Sequence, residues 1–274
     1  MHRDQVIAII DSGVGGLTVA KEVLRQLPHE KILYVGDNAR CPYGSKTPEE
    51  IRACSFQMID YVARTPLKAL VIACNTATAV VLEEAQAYLP HPVIGVIEPG
   101  ARAAVRASKT GRIGVIGTET TIRTQAYERA LLRIQPELYV RGLACPGFVP
   151  LVENHLAQTE EAYRIVKETL QPLLAEELDT LILGCTHYPL LAPLIQEVMG
   201  NKVRLINSAE ETARELTEQI FPAGSNAGQH PGERIPEPVF VTSGDAEMFR
   251  LIAEEWLDRP VTVEHHSLAG SFQP

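Results

Sequence analysis

Short runs of consecutive apolar residues recur along this chain and are separated, for the most part, by segments of helical periodicity. The runs have the length and composition of buried β-strands. They lie at Val6–Ile10, Ile32–Gly36, Ala69–Ala73, Val93–Ile97, Ile113–Gly117, Leu138–Gly142, Thr180–Gly184, Val203–Ile206 and Val239–Thr242. Continuous apolar strands joined by helices are typical of parallel sheets that are covered on both faces. The pattern predicts an α/β fold with mostly parallel sheets.

The segments between these strands carry helix signals. Apolar residues share one helical face at Leu17, Ala20, Val23, Leu24 and Leu27. The stretch Thr47-Pro48-Glu49-Glu50 combines an N-cap, a proline at the first helical position and a capping-box glutamate. It predicts a helix whose buried face includes Cys54 and Met58. Further helices are predicted around Tyr163–Leu173 and Met248–Trp256.

One arrangement occurs twice along the chain. A strand that ends on Asp11-Ser12 is followed by a strand that delivers Cys74, 63 residues after Asp11. A strand that ends on Thr118 is followed after a similar interval by a strand that delivers Cys185. This repetition indicates an internal duplication that could bring two thiols into one site.

The duplication suggests two domains. Glu98-Pro99-Gly100 directly follows a predicted strand and reads as a boundary, and the last strand and helix are expected to pack back onto the first domain. We therefore predict a discontinuous domain of residues 1–98 with 208–274 and a second domain of residues 99–207. The Pro- and Gly-rich stretch Pro222–Pro238 is predicted to be an exposed loop.

The composition of the chain excludes several classes of protein and of binding partner. The 274 residues contain 45% hydrophobic and 22% charged residues, which is usual for a soluble globular protein, and no apolar run is long enough to span a membrane. The net charge of −9 argues against nucleic acid as the main partner. Five cysteines without a CxxC pair fit neither a disulfide framework nor a zinc site, so no metal is expected. A cytoplasmic location is the default expectation.

Ligands of open α/β sheets gather at the carboxyl ends of the strands, where the duplicated polar tips are expected. A thiol at such a tip, facing a helix N-terminus, would have a lowered pKa. Taken singly, several candidates have plainer interpretations: Asp11 as a helix N-cap, Glu153 as a solvated helix residue, and His187 as a hydrogen-bonded loop histidine. The glycines Gly13, Gly15 and Gly16 favour a tight strand-to-helix turn, and Cys41, Cys54 and Cys145 are interpreted as structural.

Two thiols that face one small anionic ligand suit a particular reaction class. One thiolate removes a proton from carbon, and the opposing thiol donates a proton to the other face. The site must also direct N–H and hydroxyl donors at the developing negative charge.

Five motifs in this order closely resemble those of the glutamate racemases, over nearly the whole chain. They are IDSGVGGLTV (10–19), YVGDNARCPYG (34–44), VIACNTAT (71–78), GVIGTETTI (114–122) and LILGCTHYPLL (181–191). The resemblance implies two pseudo-symmetric α/β domains with the active site between them. It also implies a cofactor-independent enzyme that interconverts L- and D-glutamate and supplies D-glutamate for peptidoglycan, and a homodimer.

The resemblance also implies site residues. Cys74 would be the acid/base thiol for D-glutamate and Cys185 the one for L-glutamate, with Asp11 assisting Cys74, and Glu153 and His187 assisting Cys185. The residues expected to bind glutamate are Asp11, Ser12, Pro42, Tyr43, Gly44, Asn75, Thr76, Thr118, Thr121, Thr186 and His187.

Three alternatives stay open. The first is an aspartate racemase or a related diacid isomerase of the same superfamily, since the loop Cys41–Gly44 favours glutamate by resemblance only. The second is a thiol hydrolase that uses Cys185 with His187, which we disfavour because residues i and i+2 at a strand tip point apart. The third is a non-catalytic amino-acid-binding module.

Overall fold

The structure, a computed structural model, describes residues 4–221 and 235–268. The chain divides into two compact units, one formed by Met1–Val96 with Ala209–Pro274 and the other by Ile97–Ser208. Each unit is an α/β assembly built on its own parallel sheet. Most of the predicted Pro222–Pro238 loop, residues 222–234, lies outside the described residues.

The strands are numbered in chain order: β1 Val6–Asp11, β2 Lys31–Gly36, β3 Leu67–Ile72, β4 Val93–Gly95, β5 Arg112–Gly117, β6 Tyr139–Ala144, β7 Thr180–Gly184, β8 Arg204–Ile206, β9 Val239–Thr242 and β10 Val263–His265. The nine predicted strands are all present, with ends shifted by up to two residues. The tenth, β10, was not predicted because its three residues carry no apolar pattern.

The helices are α1 Leu17–Gln26, α2 Pro48–Ala63, α3 Asn75–Tyr88, α4 Ile97–Ala107, α5 Glu119–Arg123, α6 Ala126–Ile134, α7 Phe148–Glu153, α8 Glu160–Leu170, α9 Ala192–Met199, α10 Ala209–Ile220 and α11 Ala246–Leu257. Short 3₁₀ turns lie at Asn38–Arg40, Gln171–Leu173 and Tyr188–Leu191. The predicted capping box at the start of α2 is confirmed, because Thr47 and Glu50 each accept the other's backbone N–H.

The domain boundary predicted at Glu98-Pro99-Gly100 lies within two residues of the observed division, although these residues do not interrupt the secondary structure. These residues lie inside α4, which begins at Ile97 and follows β4 almost directly. Proline is tolerated there because the first turn of a helix has no intrahelical partners for its N–H groups. The division between the two units falls just before this helix, between Val96 and Ile97.

The two sheets repeat one strand order. The first runs β10-β9-β2-β1-β3-β4 and the second β6-β5-β7-β8, with parallel pairing throughout both. The order β2-β1-β3-β4 is therefore matched strand by strand in the second unit, and the first unit adds β9 and β10 beside β2. The predicted duplication of the Asp11…Cys74 and Thr118…Cys185 blocks is present in the topology.

Helices cover both faces of the first sheet, which explains why its strands are continuously apolar. In β1, Ile7 and Ile9 belong to the core that contains residues of α1, α10 and α11. Ala8 and Ile10, on the opposite face, belong to the core formed with α2 and α3. Because each face is buried, no polar alternation remains in the strand. Within the described residues, no helix is long and apolar enough to cross a membrane.

Candidate active site

Asp11 is the last residue of β1 and is fully buried. Its carboxylate accepts a hydrogen bond from the Gly13 backbone N–H at 3.0 Å. The interpretation of Asp11 as a helix N-cap is wrong, because α1 begins only at Leu17, and Gly16 occupies the cap position. The tight turn expected from the glycines separates the strand from the helix. Asp11 is thus held at the strand tip by the turn rather than used to start the helix.

Cys74 lies two residues beyond the end of the neighbouring strand β3 and caps helix α3. Its Sγ atom accepts the Ala77 backbone N–H at 3.4 Å, and the residue is 5% exposed. The adjacent Ala73 N–H donates to the Ile10 carbonyl, which joins this tip to the end of β1. The predicted placement of this thiol at a helix N-terminus is confirmed. Asn75 and Thr76 form the first turn of α3 and are also buried.

The segment Pro42–Tyr43–Gly44 follows β2 and lies in the same unit as Cys74. Tyr43 is almost completely buried, and its hydroxyl donates to the carboxylate of Asp37. Burial, reinforced by the Asp37 charge, raises the pKa of Tyr43 well above its usual value. The phenol is therefore a protonated donor that is bonded to Asp37. Ser12, in the β1–α1 turn, is also buried.

In the second unit, Thr118 occupies the position after β5 that matches the tip of β1. It caps α5 by accepting the Thr121 backbone N–H at 3.2 Å, and the two hydroxyls lie 3.0 Å apart. Both side chains are buried. The pair places two hydroxyl groups at the carboxyl end of this sheet, as the sequence predicted.

Cys185 directly follows β7 and lies beside a histidine and a carboxylate. Its Sγ atom is 3.8 Å from His187 Nδ1, and His187 Nε2 is 3.2 Å from Glu153 Oε1. The histidine side chain is 3% exposed and the glutamate side chain 32%. Glu153 is the last residue of α7. The interpretation of it as a solvated helix residue therefore leaves out its contact with His187. Thr186, between the thiol and the histidine, is buried.

The argument that Cys185 and His187 point apart is wrong. Strand geometry ends at Gly184, and His187 already has helical φ and ψ values before the 3₁₀ turn that begins at Tyr188. Strand alternation would in any case place residues i and i+2 on the same face, so it gives no reason for the two side chains to diverge. This turn also distinguishes the two thiols, because Cys74 caps an α-helix whereas Cys185 precedes a 3₁₀ turn.

The remaining cysteines are placed as structural residues. Cys54 lies in the core on the buried face of α2, and burial raises its pKa. Cys145 is fully buried with its Sγ near the Leu143 carbonyl, and burial, with a smaller contribution from Cys185, raises its pKa to about 12. Cys41 is half-buried and precedes a cis peptide bond to Pro42.

Buried tyrosines surround both thiol sites with protonated hydroxyls. Burial raises the pKa of Tyr34, which donates to the Gly13 carbonyl at 2.7 Å, and the charges of Asp11 and Cys74 add to this effect. Burial likewise raises the pKa of Tyr127 and of Tyr188 in the second unit. Such dry surroundings strengthen electrostatic interactions within each site.

The predicted residues fall into two sets, one in each unit. The first set comprises Asp11, Ser12, Pro42, Tyr43, Gly44, Cys74, Asn75 and Thr76, and the second comprises Thr118, Thr121, Glu153, Cys185, Thr186 and His187. Among the described residues, no group of three or more His, Cys, Asp or Glu side chains is placed to hold a metal ion. One buried carboxylate at a strand tip, Asp37, was missed. Its position directly after β2 was the available signal.

Comparison with known proteins connects these sites to a family. Residues 7–216 match the family model described as Asp/Glu/Hydantoin racemase. A glutamate racemase from Bacillus cereus is 50% identical over 266 residues, which cover 97% of this chain and 98% of that protein. The crystal structure of a glutamate racemase isoform from Bacillus anthracis has a TM-score of 0.92 at 48% identity, covering 97% of this chain and 98% of that one.

A further crystal structure is that of glutamate racemase from Francisella tularensis in complex with D-glutamate. It has a TM-score of 0.89 at 30% identity and covers 98% of this chain and 99% of its own. Similarity to enzymes over nearly full length decides against a non-catalytic binding module, and the level of identity favours glutamate over aspartate as the substrate. The chain belongs to the Asp/Glu/hydantoin racemase family and, within it, to the glutamate racemases.

Proposed function

We propose that the chain racemises glutamate by a two-thiol mechanism without a cofactor. The supporting observation is the repeated strand order, in which Cys74 follows β3 and Cys185 follows the equivalent strand β7. Each thiol lies beside the tip of the neighbouring strand, where the order of strands reverses and ligands of such sheets bind. Two equivalent positions with two thiols supply one base and one acid for a single Cα.

The proposed reaction conserves protons. In the L-to-D direction the Cys185 thiolate takes the Cα proton, and the Cys74 thiol donates its own proton to the opposite face of the planar carbanion. The reverse direction exchanges the two roles, so that each residue is a base for one enantiomer and an acid for the other. We assign Asp11 as the group that assists Cys74. Glu153 and His187 assist Cys185, because the carboxylate contacts the imidazole and the imidazole contacts the thiol.

The same proposal assigns the binding of glutamate to buried polar groups on the strand tips. Hydroxyl, amide and backbone N–H groups can hold the substrate carboxylates and stabilise the charge that develops at Cα. The assigned residues are Asp11, Ser12, Asn75, Thr76, Thr118, Thr121, Thr186 and His187, with the Pro42–Tyr43–Gly44 segment contributing through its backbone. The D-glutamate complex of the Francisella relative supports glutamate as the ligand.

We further propose that the enzyme supplies D-glutamate for peptidoglycan, that it acts in the cytoplasm and that it forms a homodimer. The first and the last follow from the resemblance to the glutamate racemases, and the cytoplasm is the default location expected from the sequence.

Isotope incorporation tests the mechanism. L-glutamate turned over in D₂O should yield D-glutamate that carries deuterium at Cα from the first turnovers, because the returned proton comes from a thiol that has exchanged with solvent. The unconverted L-glutamate should stay largely protiated, because a thiol that has just taken the substrate proton returns that proton if the step reverses. Mass spectrometry of the separated enantiomers at early times measures both pools.

A single base that moves between faces would instead label both enantiomers and carry protium into the product. Substantial protium in D-glutamate would therefore exclude the two-thiol assignment. Cys74→Ala and Cys185→Ala should each lower kcat by several orders of magnitude, since each removes a group required in both directions. Near-normal turnover by either variant would contradict the proposal.

A further inference from the structure

A buried carboxylate organises the segment that carries Pro42, Tyr43 and Gly44. Asp37, the first residue after β2, is fully buried. It accepts the Arg40 Nε–H at 3.0 Å and 2.8 Å on its two oxygens, the Tyr43 hydroxyl, and the Ser243 hydroxyl at 2.7 Å. Hydrogen bonds to an ionised group are stronger and more directional than neutral ones. The Asp37 carboxylate thus binds three side chains that come from two distant parts of the chain.

Ser243 brings the C-terminal part of the first unit into this network. It directly follows β9, and its hydroxyl accepts the Ala39 backbone N–H at 3.1 Å while donating to Asp37. Its own backbone N–H donates to the Gly36 carbonyl at 3.0 Å. The preceding residue adds a further link, from the Thr242 hydroxyl to Asn38 Oδ1 at 2.9 Å. The residues after β2 are therefore held by the residues after β9.

Two glycines allow this segment to pack closely against its neighbours. A Cβ atom at Gly13 would lie 3.0 Å from Cys41 Sγ, and a Cβ atom at Gly244 would lie 2.8 Å from Asn38 Cβ. Gly13 belongs to the β1–α1 turn that presents Asp11 and Ser12, so the packed segment is fixed directly beside the proposed binding residues. Gly244 directly follows Ser243 and packs against the same segment at Asn38.

The second unit shows that this network is not required by the fold. The Asp37 backbone N–H donates to the Asp11 carbonyl, and the Cys145 backbone N–H donates in the same way to the Gly117 carbonyl. The two residues are equivalent, since β2 matches β6 in the repeated strand order. In the second unit the position holds a buried cysteine, and no strand corresponding to β9 lies beside β6 among the described residues. The carboxylate and its serine partner thus belong to the first unit alone.

We propose that Asp37 and Ser243 are positioning residues for racemisation. Through the Tyr43 hydroxyl they hold the backbone of Pro42, Tyr43 and Gly44 against the β1–α1 turn in the conformation that binds glutamate. The inference rests on the proposed binding role of this segment. The strand β9 lies outside the duplicated part of the fold. The proposal gives this strand a role in substrate binding.

Ser243→Ala and Tyr43→Phe test the proposal, because each removes one hydroxyl bonded to Asp37 and leaves the Asp37–Arg40 ion pair intact. Each variant should raise KM about tenfold for both L- and D-glutamate, the size expected for one hydrogen bond to a charged group. The kcat value should change much less, since neither residue is one of the two thiols proposed to transfer protons. The double variant should show less than the product of the two single effects, because both substitutions release the same segment. Ser243→Thr, which keeps the hydroxyl, should restore the original KM.

Thr65→Ala is the matched control. It removes a hydroxyl that donates to a backbone carbonyl, that of Val62, at the opposite end of the same sheet. If it raised KM as much as Ser243→Ala, the effect would be one of general stability and the proposal would be overturned. Unchanged KM in both Ser243→Ala and Tyr43→Phe would also overturn it. A separate result would refute the two-thiol mechanism itself: Cys74→Ala or Cys185→Ala would then retain turnover.

Discussion

At the scale of single residues, the two thiols differ in what lies beside them. Cys74 accepts a backbone N–H, a group that does not titrate, whereas Cys185 contacts His187, which can gain and lose a proton. The carboxylate of Glu153 contacts the far nitrogen of that imidazole and holds the ring in place. Cys185 is therefore backed by two further side chains, whereas Cys74 is held by the backbone of its own helix.

Glu153→Gln should therefore slow the reaction of Cys185 with iodoacetamide by up to about tenfold, because a neutral amide holds the imidazole against the thiol less firmly than a carboxylate does. Peptide mass spectrometry can follow the labelling of Cys185 and Cys74 in the same sample. Cys74 serves as the internal control and should react at its original rate. The kcat value should fall less than in Cys185→Ala, because the thiol itself remains. Equal slowing at both cysteines would indicate a general change in structure and contradict the assigned contact.

At the scale of secondary-structure elements, Asp179 joins the entry of β7 to the turn before β5. It accepts the backbone N–H groups of Lys109 and Thr110, each at 2.6 Å, and the hydroxyls of Ser108 and Thr180. Partial burial opposes its ionisation, but these hydrogen bonds outweigh that effect and lower the pKa of Asp179 to about 2. The amino ends of two neighbouring strands are thereby aligned opposite to the end that carries Cys185.

Asp179→Asn should lower the free energy of unfolding at neutral pH by about 1 kcal/mol, after allowance for the solvent screening of a partly exposed group. The folded pKa lies below the unfolded value of about 3.9, so this stabilisation is complete above that value. It should be lost as the pH falls through about 4 towards 2, because the carboxylate of the unfolded chain takes up a proton in this range while the folded carboxylate stays ionised until about pH 2. Urea unfolding of both proteins at neutral and acidic pH measures the difference. A difference that stayed constant down to pH 3 would contradict the electrostatic explanation.

At the scale of the whole molecule, the fold is a repeated four-strand unit with an addition to one copy. Both copies present polar residues at the tips of their two central strands, and within residues 4–221 and 235–268 only the first is extended, by β9 and β10. The surroundings of the two proposed sites differ as well. In the second unit Cys185 contacts a side chain, whereas the first unit contains the Asp37 network. The duplicated topology and the family membership together support a mechanism that needs no cofactor.

Dialysis against a chelator, followed by treatment with hydroxylamine as a carbonyl trap, should leave the racemisation rate unchanged. In the proposed mechanism only cysteine side chains hold and transfer the protons, so neither a metal ion nor a carbonyl cofactor is needed. Circular dichroism of glutamate solutions follows the reaction, and a pyridoxal-dependent racemase treated in parallel provides the control that should lose activity. Loss of activity that returned on addition of one metal ion would show that the proposed mechanism is incomplete.

The sequence by itself determined the features that depend on neighbouring residues. Continuous apolar runs predicted nine of the strands, the capping box predicted the start of α2, and the repeated context of Cys74 and Cys185 predicted the duplication. These signals are local because the burial period of a strand and the capping of a helix involve residues a few positions apart. The same local rules failed where the chain changed geometry, at Ile97 and after Gly184.

Only the tertiary structure decided which distant residues meet. The pairing of β9 with β2 brings Ser243 to Asp37, about two hundred positions apart, and no periodicity in either segment records that contact. The turn after β7 brings His187 back to Cys185, and the end of α7 supplies Glu153. Hydrogen bonds between parallel strands involve backbone groups that every residue shares, so the order of strands leaves no signature in the side chains. Packing of the whole chain selects that order, and with it the partners of each functional group.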